Sequence, residues 1–148
     1  MELRRGIAVT RVVFADTFYW IALAQRDDAA HEAAHSWRDQ YRSDMSLVTT
    51  DEVLVEYLTY FSATPANVRL QVALSLREIL DDPVIDVVPQ DRETFLAGLD
   101  YFQDGLDKHY SLTDCIAMLT MRQRGVTAVL TNDRHFAQEG FRLLFGIG

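Results

Sequence analysis

Residues 12–17 read VVFADT, and this stretch decides the fold of the chain. Its apolar, β-branched start favours a buried strand, and Asp16 closes the run where a helix is predicted to begin. The same change of element recurs at Asp133, which follows the apolar run 126–130 across two residues. In an open α/β fold, ligands bind in the crevice beyond the carboxyl ends of the parallel strands. Acidic side chains at these places could therefore converge on one point.

Strand-like and helix-like segments alternate along the sequence. Strands are predicted at residues 11–15, 47–49, 84–88, 126–130 and 141–145, with helices between them. This alternation implies right-handed βαβ units and a parallel sheet covered on both faces. The predicted fold class is therefore α/β. We expect a single domain over residues 11–148, preceded by an N-terminal extension at residues 1–10.

The composition is that of a folded protein, with 49 % apolar and 24 % charged residues among 148. Cys115 is the only cysteine, so no internal disulfide is possible. No segment approaches the roughly 20 consecutive apolar residues that a membrane span needs. We therefore expect a cytoplasmic protein with no membrane partner.

The net charge of −8 argues against an extended basic surface for nucleic acid. A cluster of four carboxylates would account for half of that charge, and two bound divalent ions would bring it to about −4. Of the 14 basic residues, 13 are arginine and one is Lys108. The planar guanidinium of arginine suits phosphate contacts. Nucleic acid therefore stays open as a ligand.

Two further acids, Glu56 and Asp114, lie in predicted helices that follow turn-like residues. Converging carboxylates repel one another unless a hard divalent cation lies between them. With Asp16 and Asp133, the set suits two-metal hydrolysis with Mg²⁺ or Mn²⁺. In that chemistry one ion activates water and the other neutralises the leaving oxygen.

Each acid also has a simpler interpretation. Asp16 and Asp133 could merely begin helices, where negative charge favours the positive end of the dipole. Asp114 could form a capping box with Ser111. The acid at position 56 could belong to a solvated pair with Glu52, one helical turn earlier. All four acids lie at changes of secondary-structure element and occur as a set, and this favours the metal site.

The four acids occur within short strings that have a recognisable order. The strings are Phe14-Ala15-Asp16-Thr17 with Trp20, Thr49-Thr50-Asp51-Glu52-Val53-Leu54-Val55-Glu56, Tyr110-Ser111-Leu112-Thr113-Asp114-Cys115 and Thr131-Asn132-Asp133-Arg134-His135-Phe136. In order and spacing they resemble the four acidic motifs of PIN domains, a family of metal-dependent ribonucleases. The resemblance covers about residues 11–145.

The resemblance implies a three-layer α/β/α sandwich whose five-stranded parallel sheet has the order 3-2-1-4-5. It also implies an Mg²⁺ or Mn²⁺ site and endonucleolytic cleavage of RNA. Many family members of this length are toxins of the VapC kind, paired with an antitoxin that inserts into the active-site groove, and dimers are common. The implied catalytic and metal-holding residues are Asp16, Glu56, Asp114 and Asp133. The supporting hydroxyls would be Thr131 and Ser111, which orient the carboxylates.

A second constellation points to a different enzyme class. His31-Glu32-Ala33-Ala34-His35 matches the HExxH pattern of zinc metallopeptidases, with Glu52 or Glu56 available downstream as a third ligand. The pattern lies in a polar, alanine-rich helix predicted to open at Asp27-Asp28. A solvated helix face is the favoured interpretation, and the zinc peptidase is kept as an alternative.

The remaining alternative is a non-catalytic, doubly wound binding module, such as a phosphoacceptor domain that uses one strand-end aspartate. Such domains usually carry a lysine near the end of a late strand, whereas Lys108 precedes a helix. Cys115 is interpreted as a buried small hydrophobe, and His135 as structural. Among the arginines, Arg134 is the best candidate for contacting a phosphate.

Overall fold

The structure is a computed structural model that describes residues 11–145. The predicted extension at residues 1–10 lies outside the described residues. The strands are β1 (Arg11–Ala15), β2 (Met45–Thr50), β3 (Ile85–Val88), β4 (Ala128–Leu130) and β5 (Arg142–Leu143). The helices are α1 (Thr17–Ala24), α2 (His31–Tyr41), α3 (Asp51–Tyr60), α4 (Ala66–Asp81), α5 (Arg92–Asp104), α6 (Leu112–Arg124) and α7 (Arg134–Gln138), with a short 3-10 helix at Leu106–Lys108.

All five strands are parallel, and they lie in the order β3-β2-β1-β4-β5. The predicted fold class and strand order are confirmed. Because parallel crossovers are right-handed, α1–α4 cover one face of the sheet, and α5 and α6, which lead back to β4, cover the other. Within residues 11–145, no helix is both long and apolar enough to cross a membrane.

The two central strands form the core of the domain. Phe14 and Ala15 of β1, and Val129 and Leu130 of β4, have no exposed surface. Helices cover both faces at these positions, so the strands are continuous apolar runs rather than alternating ones. This is the physical reason that VVFA and its counterpart at 128–130 stand out in the sequence.

The register of the sheet brings the ends of three strands to one edge. Ala15 pairs with Leu130, so the residues that follow them, Asp16 and Thr131, are neighbours across β1 and β4. On the other side of β1, Phe14 pairs with Val48 of β2. The helices α3 and α6 contact each other. Since α3 follows β2 directly and α6 precedes β4, both helices begin at this carboxyl edge.

Side-chain caps fix where the helices begin. The Thr50 hydroxyl accepts a hydrogen bond from the Val53 amide at 3.1 Å and starts α3 immediately after β2. Helix α2 begins at His31 rather than at the predicted Asp27-Asp28. There, the Asp28 carboxylate accepts the Ala30 amide at 2.8 Å, which makes residues 27–30 a turn.

Candidate metal centre

The four predicted acids all lie at the carboxyl edge of the sheet. Asp16 directly follows β1, and Asp133 lies three residues beyond the end of β4. Glu56 is in the second turn of α3, and Asp114 is in the first turn of α6. The carboxylates are close enough for Asp16 to interact with both helical acids, and for Asp114 to interact with both Glu56 and Asp133.

Thr131 links two of these acids. Its buried hydroxyl donates a hydrogen bond to Oδ2 of Asp16 at 2.8 Å and accepts one from the Asp133 amide at 3.2 Å. The strand register makes this possible, because it places Thr131 beside Asp16 across the sheet. The hydrogen bond fixes the orientation of the Asp16 carboxylate at the carboxyl edge.

Thr17 is a supporting hydroxyl that the sequence analysis did not identify. It donates to Oε1 of Glu56 at 2.5 Å and so joins the start of α1 to α3. Its position directly after Asp16 was the available signal. The contact itself depends on how α3 is rotated against α1, which local sequence does not report.

Ser111 lies at the site but acts on the backbone. Its hydroxyl accepts a hydrogen bond from the Asp114 amide at 3.0 Å and caps α6. This hydrogen bond fixes the first turn of the helix and does not involve the Asp114 carboxylate. The capping-box interpretation is therefore correct, since the Asp114 carboxylate also accepts a hydrogen bond from the Ser111 amide. The same carboxylate still interacts with Asp133 and Glu56.

Burial and repulsion from neighbouring carboxylates raise the pKa values of two of the acids. Burial raises the pKa of Asp16 from its usual 3.8 to about 7, and repulsion from Asp114 and Glu56 adds to the rise. Burial also raises the pKa of Asp114 to about 6, with repulsion from Asp133 and Glu56 as further causes. A cation between the carboxylates would remove this repulsion.

The Asp133 carboxylate performs two tasks. Its Oδ1 atom accepts the His135 amide at 2.9 Å and caps α7, so the helix-start interpretation holds for this residue. It also faces the Asp114 carboxylate and the His135 ring. Ligand atoms of Asp114, Asp133 and His135 all lie within 4.8 Å of one another. His135 therefore lies beside the acids, which the sequence interpretation of it as structural did not anticipate.

The residues at this edge fit a divalent cation. Their donors are carboxylate oxygens, the ligand type that Mg²⁺ and Mn²⁺ prefer. Two of the carboxylates are buried with raised pKa values, so ionising them without a cation is costly.

A cavity of about 530 Å³ contains none of these acids. It lies near Met45 and Val84, at the opposite, amino edge of the strands.

The HExxH histidines are engaged elsewhere. Nδ1 of His31 lies 2.8 Å from the carbonyl oxygen of Ala22, and Nε2 of His35 lies 3.0 Å from that of Leu23. The second ring nitrogen of His35 is 3.1 Å from the Arg38 guanidinium. His35 has no free lone pair for zinc, because Nδ1 accepts from the guanidinium and Nε2 donates to the backbone carbonyl. The pair joins α2 to the end of α1, which argues against the zinc peptidase.

Cys115 is fully buried, as the sequence predicts. Burial raises the pKa of its thiol to about 11, and the neighbouring Asp114 carboxylate contributes to the rise. A thiol of this kind is protonated at neutral pH and is a poor nucleophile. Nucleophilic catalysis by Cys115 has no support.

Thr131→Val is expected to lower the free energy of unfolding by roughly 1–3 kcal/mol, because it leaves buried polar groups of Asp16 and Asp133 without their partner. The measurement is urea denaturation at pH 7 in EDTA. Thr120→Val is the matched control, since Thr120 is also buried but its hydroxyl donates only to the Ile116 carbonyl of its own helix. Equal losses in the two variants would show that the Thr131 hydroxyl has no special role.

A parallel α/β sheet with an acidic cluster beyond its carboxyl edge has the ligand set and the position of a divalent-cation site. The PIN domain family model matches residues 13–141 of this sequence. The chain belongs to the PIN-domain family. No curated protein matches it in sequence.

Several solved structures share this fold. VapC20 of Mycobacterium tuberculosis, described as a sarcin-ricin loop cleaving toxin, is 21 % identical, with a TM-score of 0.73 over 87 % of this chain and 95 % of that one. VapBC2 from Rickettsia felis, bound to a DNA fragment from its promoter, is 10 % identical, with a TM-score of 0.65 over 89 % and 96 %. DNA-bound VapBC from Salmonella typhimurium is 14 % identical, with a TM-score of 0.61 over 90 % and 96 %.

Proposed function

We propose that this protein is an Mg²⁺- or Mn²⁺-dependent endoribonuclease. The observation that carries the proposal is the convergence of four acids from separate segments on one edge of the sheet. Two of them, Asp16 and Asp114, have pKa values raised by burial and by repulsion from neighbouring acids. Repulsion between buried carboxylates lowers the stability of the metal-free fold, and a bound cation would offset that repulsion.

In the proposed mechanism, Asp16, Glu56, Asp114 and Asp133 hold the metal directly or through water. When bound, a divalent ion supplies an activated water and neutralises charge that develops on the phosphodiester. The hydroxyls of Thr17 and Thr131 fix the orientation of Glu56 and Asp16 through the hydrogen bonds described above. The chain needs no covalent intermediate, because water attacks the phosphorus in line.

RNA is the proposed substrate. Support comes from membership of the PIN-domain family and from the shared fold with VapC20, which is described as cleaving the sarcin-ricin loop. The chain's own charge of −8 does not oppose this at the site, since bound cations would offset the carboxylates. A structured RNA loop is the proposed target class.

We also propose that the protein is the toxin of a type II toxin–antitoxin pair in the cytoplasm, with a cognate antitoxin and a homodimeric state. The fold it shares with VapC chains of VapBC complexes supports the antitoxin. Exposed apolar residues on α4 support a second protein-contact surface, in addition to the one for the antitoxin. Leu70 and Leu74, one turn apart on α4, are 59 % and 52 % exposed.

The test is cleavage of a pool of structured cellular RNAs by the purified protein, with Mg²⁺, Mn²⁺ or EDTA. We expect discrete fragments with either metal and none with EDTA, and no cutting of a DNA pool. Sequencing the fragment ends would then name the target. Cutting that persists in EDTA would contradict a metal-dependent mechanism. A protein that neither cuts RNA nor binds a divalent ion would be the non-catalytic binding module instead.

A further inference from the structure

The cluster formed by Asp114, Asp133 and His135 contains one nitrogen donor among its oxygen donors. Nδ1 of His135 lies 3.4 Å from Oδ1 of Asp133 and 3.9 Å from Oδ2 of Asp114. Ligands on opposite sides of an ion, each about 2.1 Å away, are about 4.2 Å apart. The separation of Nδ1 from each carboxylate oxygen is therefore one that two ligands of a common ion can have.

This nitrogen has no hydrogen-bond partner among the described residues. Nδ1 of His135 is itself buried, and the side chain that carries it is 32 % exposed. Its distance to the Asp133 oxygen exceeds the roughly 2.7–3.2 Å of an ordinary N–H···O hydrogen bond. Buried polar atoms are nearly always paired, and an orphan needs a reason such as an ion. The carboxylate donors of the proposed centre supply that reason.

The surroundings hold the ring in this orientation. The Tyr110 ring packs edge-on against the His135 ring, with centroids 5.1 Å apart. The Tyr110 hydroxyl donates to Glu139 at 2.7 Å, and the same carboxylate also accepts from Tyr101 at 2.9 Å and Arg122 at 3.0 Å. These donors lower the pKa of Glu139 to about 2, so it remains an anchor in the neutral range. The network fixes α7, and with it the imidazole, against α5 and α6.

We propose that Nδ1 of His135 is a metal ligand on the Asp114–Asp133 side of the centre, and that it makes the protein prefer Mn²⁺ to Mg²⁺. The inference rests on the proposed metal-dependent nuclease function and names the selectivity of the same centre. Imidazole nitrogen is a ligand of transition-metal ions, a series in which Mn²⁺ is the weakest binder, whereas Mg²⁺ favours oxygen ligands and keeps several waters. Nδ1 carries the lone pair when the ring proton is on Nε2.

The binding test compares Mn²⁺ and Mg²⁺ affinities by calorimetry in wild type and His135→Phe. Phenylalanine keeps a ring against Tyr110 and removes the nitrogen. We expect at least a tenfold loss of Mn²⁺ affinity and less than about a threefold change for Mg²⁺. His135→Asn places an amide oxygen near the same point and should keep Mg²⁺ binding while losing the preference for Mn²⁺. His109→Asn is the control, because His109 is exposed and has φ of 60°, a conformation that asparagine tolerates.

A spectroscopic readout separates a ligand from a merely structural ring. With ¹⁵N-labelled histidine, Mn²⁺ bound to wild type should show the hyperfine coupling of a directly bonded nitrogen, and His135→Phe should not. An Mn²⁺ signal without nitrogen coupling, together with an unchanged Mn²⁺/Mg²⁺ ratio in His135→Phe, would overturn the inference and leave the nuclease proposal standing. A wild-type protein that binds neither ion would overturn both.

Discussion

Asp114→Asn is expected to lower the rate of RNA cleavage by at least about 10³-fold, since a metal-organising carboxylate contributes several kcal/mol to the transition state. Asp114 is repelled by Asp133 and Glu56 and also raises the pKa of Asp16, so it interacts with all three of the other acids. Asparagine has nearly the same shape and keeps the backbone hydrogen bond to Ser111. The loss would therefore come from charge rather than from misfolding. The measurement is single-turnover cleavage with Mg²⁺ or Mn²⁺ at pH 8.

The same substitution should stabilise the metal-free fold. The pKa of Asp114 is raised to about 6, which means that the folded protein disfavours its charged form. At pH 8 in EDTA, we expect Asp114→Asn to raise the free energy of unfolding by roughly 1–3 kcal/mol. Asp100→Asn, an exposed change on α5, is the control and should alter neither activity nor stability. If Asp114→Asn cleaves RNA at the wild-type rate, the assignment of this residue is wrong.

Loss of activity with gain of stability is what separates a functional carboxylate from a structural one. The Glu139 carboxylate shows the opposite behaviour. Hydrogen bonds from Tyr110, Tyr101 and Arg122 lower its pKa to about 2, so its charge stabilises the fold. Removing Asp114 relieves repulsion, whereas removing Glu139 breaks a network. The two acids lie on neighbouring elements, yet their surroundings give them contrary effects on folding.

The sheet could be predicted from the sequence because its central strands β1 and β4 are buried on both faces where they pair. Residues 12–15 and 126–130 are continuous apolar runs, and a run of that kind between helical segments has few other interpretations. Asp16 follows its run directly and Asp133 follows its run after two residues, so their place at the carboxyl edge follows from the fold. Glu56 and Asp114 were candidates from their positions after turn-like residues, and the family resemblance supported them, because a helix can present a residue in any direction.

The details that local sequence could not give are all contacts between distant segments. Thr17 meets Glu56 across 39 positions of the sequence. The orientation of His135 depends on Tyr110 and on the ionic network beyond it. Likewise, the HExxH pattern states that two histidines share a helix face, but not that the face packs on the carbonyl groups ending α1. Spacing along a helix shows which residues share a face of that helix. It does not show which other element the face packs against.

The free energy of unfolding of the metal-free protein is expected to fall as pH rises from about 5 to 8. The pKa values of Asp16 and Asp114 are raised in the folded state to about 7 and about 6, from 3.8. The folded protein therefore binds more protons than the unfolded chain in this window, and stability decreases with pH. The contribution is fully present below about pH 4 and is lost as pH passes through the raised values. Below pH 5, protonation of Glu139, whose pKa is lowered, opposes it, so stability should be greatest near pH 5.

Mg²⁺ should reverse the loss at pH 8, because a cation takes the place of the protons that the acids release. At 100 times its dissociation constant, a bound ion adds about 2.7 kcal/mol to stability. Urea denaturation from pH 5 to pH 8, with EDTA or Mg²⁺, measures both effects.

Asp16→Asn provides the matched variant, since it retains an oxygen that can accept from Thr131. Its stability should depend less on pH, and Mg²⁺ should stabilise it less. A metal-free wild type whose stability rises steadily to pH 8 would mean that the carboxylates do not repel one another. Equal stabilisation of wild type and Asp16→Asn by Mg²⁺ would mean that the ion binds elsewhere.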